Sequence, residues 1–186
     1  MTPPQPTPAT CPYRLATLDG SPDGLPLVIE PIADRDAEQL VAWIRANRDW
    51  VAGKLTSHGA VLFRGFDVAG APGFERVARA IDDDLKNEYL GTSPRNRLTD
   101  FVFTASELPP FFPIPQHCEM SFIADPPRRL FFTCLLEPAP GSGETPLADF
   151  RKVRRDVAPE IRRRLEPSCP LRTVRCGSRP AVTSSS

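Results

Sequence analysis

FFPIPQHCEMSF, residues 111–122, decides the reading of this chain. It is short, proline-punctuated and extended in character. Along a strand alternate side chains share a face, so His117 and Glu119 point one way and Cys118 the other. One imidazole and one carboxylate on a common face are two thirds of the two-His, one-carboxylate triad that holds non-haem Fe(II). The third donor would be a second His further along, and the sequence has none after His117. An H-x-[DE] tripeptide alone is weak. With 2 His and 23 acidic residues in 186, chance supplies one roughly a quarter of the time. The bland alternative is a His and Glu pair on a half-buried strand.

Working outward, 186 residues fit one domain with a real core. Apolar content of 40% and charged content of 25% are ordinary for a globular protein. Basic and acidic residues number 23 each, which removes the electrostatic reason to expect nucleic acid or an anionic membrane as partner. The run from Arg151 to Arg164 is dense in Lys and Arg and reads as the solvated face of a helix. No apolar run reaches the length of a membrane span, and the N-terminus has no secretory pattern. Five Cys without a CxxC suggest reduced thiols and a cytoplasmic location.

Residues 1–12 are Pro- and Thr-rich and read as a disordered tail. Apolar residues at 37, 40, 41 and 44 carry the helical period, with Asp34 or Asp36 as cap. A second helix is expected over 48–55, a buried strand over 60–63, and a third helix from Pro72 to the acidic triplet Asp82 to Asp84. Residues 101–104, 113–122 and 130–136 read as strands between proline-rich turns. Helices are expected over 151–157 and 159–165. Residues 166–186, rich in Arg, Pro, Ser and Cys, read as an atypical disordered tail.

HGAVLFRGFDV (58–68), YLGTSPRNRL (89–98), PIPQHCEMSF (113–122) and RRLFFTCLLEPAPGSGETPLADFRKV (128–153) follow one another in a fixed order. Together they resemble the taurine dioxygenase (TauD/TfdA) family of Fe(II)- and 2-oxoglutarate-dependent oxygenases, with the nearest look to its syringomycin-type hydroxylase branch. The resemblance covers about residues 35–165 and makes 13–165 the N-terminal part of such a domain. It implies a mainly β fold with flanking helices, an incomplete double-stranded β-helix (jelly roll) of the clavaminate synthase-like kind. It assigns His117 and Glu119 as iron ligands with the distal His absent, and Thr145 as the residue that hydrogen-bonds 2-oxoglutarate. It implies O2 and a small or carrier-bound amino-acid-like substrate, in antibiotic or other secondary metabolism. His58 is expected to be structural, Arg64 and Gly65 to shape a turn, Met120 and Phe122 to pack or line the pocket, and the loop at Ser93, Pro94 and Arg95 either to border the pocket or to carry a solvated Arg. Family members are longer and carry a second His and a 2-oxoglutarate-binding Arg further on. The expectation is therefore a truncated or frame-shifted product of impaired activity, with a non-catalytic remnant that binds a partner as the alternative. A zinc hydrolase is poorly supported by one motif His.

Overall fold

The structure, a computed structural model, describes residues 11–18, 20, 24–88, 93–109, 111–112, 114–141 and 143–165. Both tail expectations, 1–12 and 166–186, fall almost wholly outside them. Contacts divide the chain into two units. One comprises Met1–Gln116 with Leu130–Asp149, and the other His117–Arg129 with Phe150–Ser186.

The first unit is built on three strands. β1 (Tyr13–Thr17) pairs antiparallel with β2 (Leu27–Pro31), which pairs parallel with β3 (Val61–Phe63). A parallel pair needs a long crossover. It is supplied by α1 (Ala37–Ala46) and α2 (Arg48–His58), and α3 (Gly70–Ile81) follows β3. α1 forms where the period-3.6 pattern places it, and Asp36 caps it by accepting from the Glu38 N–H at 2.9 Å. Gly59 ends α2 in the left-handed conformation at φ 81°, and its N–H bonds the Leu55 carbonyl. α2 thus runs three residues beyond the expected 55.

Two apolar clusters form the core. Leu40, Val41 and Ile44 of α1 meet Val77 and Ala80 of α3. Leu27 and Ile29 of β2 meet Trp50 and Val51 of α2. Tyr13 and Trp43 touch both clusters, with ring centroids 4.9 Å apart and edge to face. Arg48, at the start of α2, donates to the Ala80 carbonyl at 2.7 Å and the Arg79 carbonyl at 3.1 Å. A cation there satisfies orphan carbonyls at the negative end of α3. Arg48 also pairs with Asp83, which holds that carboxyl below its usual range.

The strands expected over 101–104, 113–122 and 130–136 do not form among the described residues. Only an isolated bridge, Arg97 to Phe103, is present there. The mainly β character expected from the sequence is thus absent from the described residues, which hold three strands and five helices. A strand needs a partner edge, and Pro109, Pro110, Pro113, Pro115, Pro126, Pro127, Pro138 and Pro140 remove ladder donors throughout this part of the chain. In the second unit the described helices are α4 (Phe150–Asp156) and α5 (Pro159–Leu165), each within a residue of the expected bounds.

Candidate metal centre

His117 and Glu119 lie together in the second unit. The His117 Nε2 to Glu119 Oε2 distance is 3.7 Å, so the two side chains do share a side. The route differs from the one expected. Residues 119–122 form a turn and not a strand, with the Ser121 N–H donating to the Cys118 carbonyl at 3.3 Å and the Ile123 N–H to the Met120 carbonyl at 3.1 Å. Met120 sits at φ 50°, a left-handed conformation that costs a side-chain-bearing residue about 1–2 kcal/mol. Such a residue persists only where its surroundings hold it there. The Glu119 side chain is 19% exposed and that of His117 55%, so the pair sits partly sheltered but reachable from solvent. Cys118 is an exposed free thiol. Phe122, expected to pack or to line the pocket, is exposed.

A single cation bonded to each atom at roughly 2.1 Å spans the 3.7 Å between them. The donor types suit a first-row divalent metal. The pair supplies two donors of that kind, 3.7 Å apart. Among the described residues no group of three or more His, Cys, Asp or Glu comes together. His58, the other imidazole of the chain, is buried at the end of α2, and its Nδ1 lies 3.2 Å from the Gly24 carbonyl, to which it donates. Burial and this bond are consistent with the structural role expected.

Thr145 lies in the first unit, exposed, on an irregular run after Gly143. Gly143 has φ 75°, and a Cβ there would stand 2.7 Å from Pro138 Cγ. Only glycine lets this loop close on Pro138, which explains the glycine two residues before Thr145.

The loop at Ser93, Pro94 and Arg95 is the start of a folded segment that sequence reasoning did not see. The Glu107 N–H donates to the Pro94 carbonyl at 3.1 Å, and the Thr104 N–H to the Asn96 carbonyl at 2.8 Å. Glu75 on α3 fastens this segment. It accepts from Thr99 Oγ1 at 2.5 Å and from Arg79 Nε at 2.8 Å, and the Arg79 guanidinium lies 4.2 Å over the Phe101 ring. The Thr99 and Arg79 hydrogen bonds hold the Glu75 carboxyl below its usual range. Beside it a shallow groove of about 630 Å³ runs between Pro72 and Arg76 on one wall and Arg97 and Asp100 on the other. Its walls are more than twenty residues apart in sequence and share no motif.

An imidazole faces a carboxylate across one turn, and both are donor types of divalent-metal sites. Comparison with known proteins gives the family. The chain belongs to the family described as taurine catabolism dioxygenase TauD, TfdA, which matches it over residues 23–182. It is similar to a clavaminate synthase-like protein of Arabidopsis thaliana, 40% identical over 126 residues, which are 66% of this chain and 38% of the relative. It is also similar to the dapdiamide synthesis protein DdaC of Enterobacter agglomerans, 28% identical over 107 residues, or 58% of this chain and 32% of the relative. The chain thus spans about a third of the length of these relatives. The family implies a jelly-roll fold, and its members are typically non-haem iron dioxygenases. No helix among the described residues is long and apolar enough to cross a membrane.

Proposed function

We propose that this chain is part of an Fe(II)- and 2-oxoglutarate-dependent dioxygenase that hydroxylates a small or carrier-bound amino-acid-like substrate. Secondary-metabolite assembly is the setting we favour, in line with the name of the dapdiamide relative and with the syringomycin-type motifs of the sequence. The observation that carries the proposal is the convergence of His117 Nε2 and Glu119 Oε2 to 3.7 Å in a chain of this family. His117 and Glu119 hold the metal, and Thr145 hydrogen-bonds a carboxylate of 2-oxoglutarate. Bound Fe(II), with 2-oxoglutarate and O2, supplies the oxidising power for an unactivated C–H bond. The protein's share is to orient the two donors through the turn at 119–122 and to position the substrate.

The test is anaerobic Fe(II) titration of the purified chain and of His117→Ala and Glu119→Ala. Loss of a residue merely supporting a ligand already weakens metal binding about 10–100-fold, so either substitution should cost at least that. Equal affinity in all three proteins would remove the basis of the assignment. With 2-oxoglutarate added, succinate should form only in the protein that binds iron.

One observation favours a second reading, a non-catalytic binding module descended from the family. Among the described residues no group of three or more His, Cys, Asp or Glu comes together. Substrate binding without succinate formation in the iron-loaded chain would select it.

A further inference from the structure

We propose that Met120 is a positioning residue for the candidate metal donors: its left-handed backbone, and not its thioether, aims the Glu119 carboxylate at His117. The inference rests on the oxygenase reading above and adds one residue to that site.

The starting point is a conformation that methionine ordinarily avoids. Met120 has φ 50°, and every other positive φ among the described residues falls on glycine, six in all. Elsewhere, then, the chain enters the left-handed region with the residue that has no Cβ to clash. A methionine there is an outlier, and outliers of this kind collect at active sites and ligand clamps.

The turn around it shows what the conformation does. The Cys118 carbonyl accepts from the Ser121 N–H at 3.3 Å, which closes a four-residue turn with Glu119 second and Met120 third. Met120 has the positive φ and Glu119 does not, which is the pattern of a type II turn. Glycine or asparagine is the usual third residue of such a turn.

A cheaper turn could close the same hydrogen bond. In a type I turn the third residue sits at φ of about −90°, which any L residue adopts. The two turns differ by a flip of the peptide unit between Glu119 and Met120. Type I puts the second residue in the helical region, whereas type II leaves it extended. The backbone region of Glu119 decides which χ1 rotamers its side chain can take. The strained Met120 therefore holds the peptide unit beside the Glu119 side chain in one orientation. With it, the carboxylate comes to 3.7 Å from His117 Nε2. A second bond, from the Ile123 N–H to the Met120 carbonyl at 3.1 Å, ties the other side of Met120. These contacts all lie within residues 117–123.

The experiment titrates wild type, Met120→Gly, Met120→Leu and Met120→Val with Fe(II) under anaerobic conditions, and with Co(II) as a spectroscopic probe of coordination. Glycine relieves the left-handed penalty, leucine keeps both the penalty and the bulk, and β-branched valine raises the penalty. Met120→Gly and Met120→Leu should bind within about threefold of wild type or more tightly. Met120→Val should bind at least about fivefold more weakly, with an altered Co(II) absorption band. Trp43 and Trp50 pack in the core of the first unit, whereas Met120 belongs to the second. The urea midpoint read by their fluorescence should therefore match in all four proteins, which separates lost positioning from lost folding. The glycine and leucine comparison stands even where Met120→Val fails to fold.

Fe(II) binding by Met120→Val as tight as wild type overturns the proposal. So does binding at least about fivefold weaker in Met120→Gly with Met120→Leu unchanged, because side-chain bulk would then be what holds the donors. If His117→Ala and Glu119→Ala weaken Fe(II) binding while the Met120 series stays level, this inference falls and the oxygenase reading stands. If neither donor variant changes Fe(II) affinity, the oxygenase reading falls and takes the inference with it.

Discussion

Cutting the fastening between α3 and the segment around Thr99 should reveal a coupled pair. Thr99 Oγ1 donates to Glu75 at 2.5 Å and accepts from the Val102 N–H at 3.1 Å, so Thr99→Val removes both a charge-assisted bond and a turn bond. Bonds to charged groups contribute about 1.5–3 kcal/mol each, and neutral ones about 1 kcal/mol. The Glu75 side chain is 17% exposed but its partner Arg79 is 40% exposed, so screening discounts the ionic share toward the 0–1 kcal/mol of surface pairs. Thr99→Val should therefore cost about 2 kcal/mol. Glu75→Gln keeps an acceptor for Thr99 but loses the charge, and should cost about 1 kcal/mol. Because Thr99→Val removes this bond and Glu75→Gln weakens it, the double variant should be less destabilised than the sum, with a coupling of about 1 kcal/mol. Urea unfolding of the four proteins measures it, and hydrogen exchange at the Phe101 and Val102 amides localises it. If the two costs add to within about 0.3 kcal/mol, the Thr99 to Glu75 bond does not hold the segment and the reasoning is refuted.

Ile44→Ala empties a fully buried site between α1 and α3 and should destabilise by about 2–5 kcal/mol in urea unfolding. Glu30 is held below its usual range by Arg64 and then Arg14. A lowered folded pKa means this stabilisation is present above the unfolded value, near 4.3, and is lost as pH falls through the folded one. Glu30→Gln should therefore lower stability at pH 7 and flatten its decline in acid, measured as the urea midpoint against pH. Gly143→Ala forces a Cβ to 2.7 Å from Pro138 Cγ at φ 75° and should open the loop before Thr145, seen as faster amide exchange over 140–146.

The helices were legible because each carries its own signal. Leu40, Val41 and Ile44 repeat at helical spacing and Asp36 caps them. The strand at 61–63 was legible as a continuous apolar run. β1 and β2 were not. Leu27, Val28 and Ile29 form an equally apolar run that signals a buried strand, but the many prolines of the first 31 residues mask it. The reverse error fell on 101–104, 113–122 and 130–136. Alternation or an apolar run shows that a segment can pair, but pairing belongs to two segments, and the second lies elsewhere in the chain. At the candidate centre the alternation argument describes the geometry incompletely. His117 and Glu119 meet through a turn at Met120, and no periodicity encodes a left-handed φ at methionine. The Glu75 and Thr99 fastening joins residues 24 apart and leaves no local trace.

Phe132 and Leu136 stand 70% and 88% exposed in a stretch whose residues are those of protein interiors. Oily surface of that kind governs how a polypeptide behaves in a crowded cell before any chemistry begins. Holdase chaperones and environment-sensitive dyes select for it, and chains displaying it self-associate as concentration rises. Yield and solubility on overexpression should accordingly respond more to Phe132→Ser with Leu136→Ser than to any change at the metal donors.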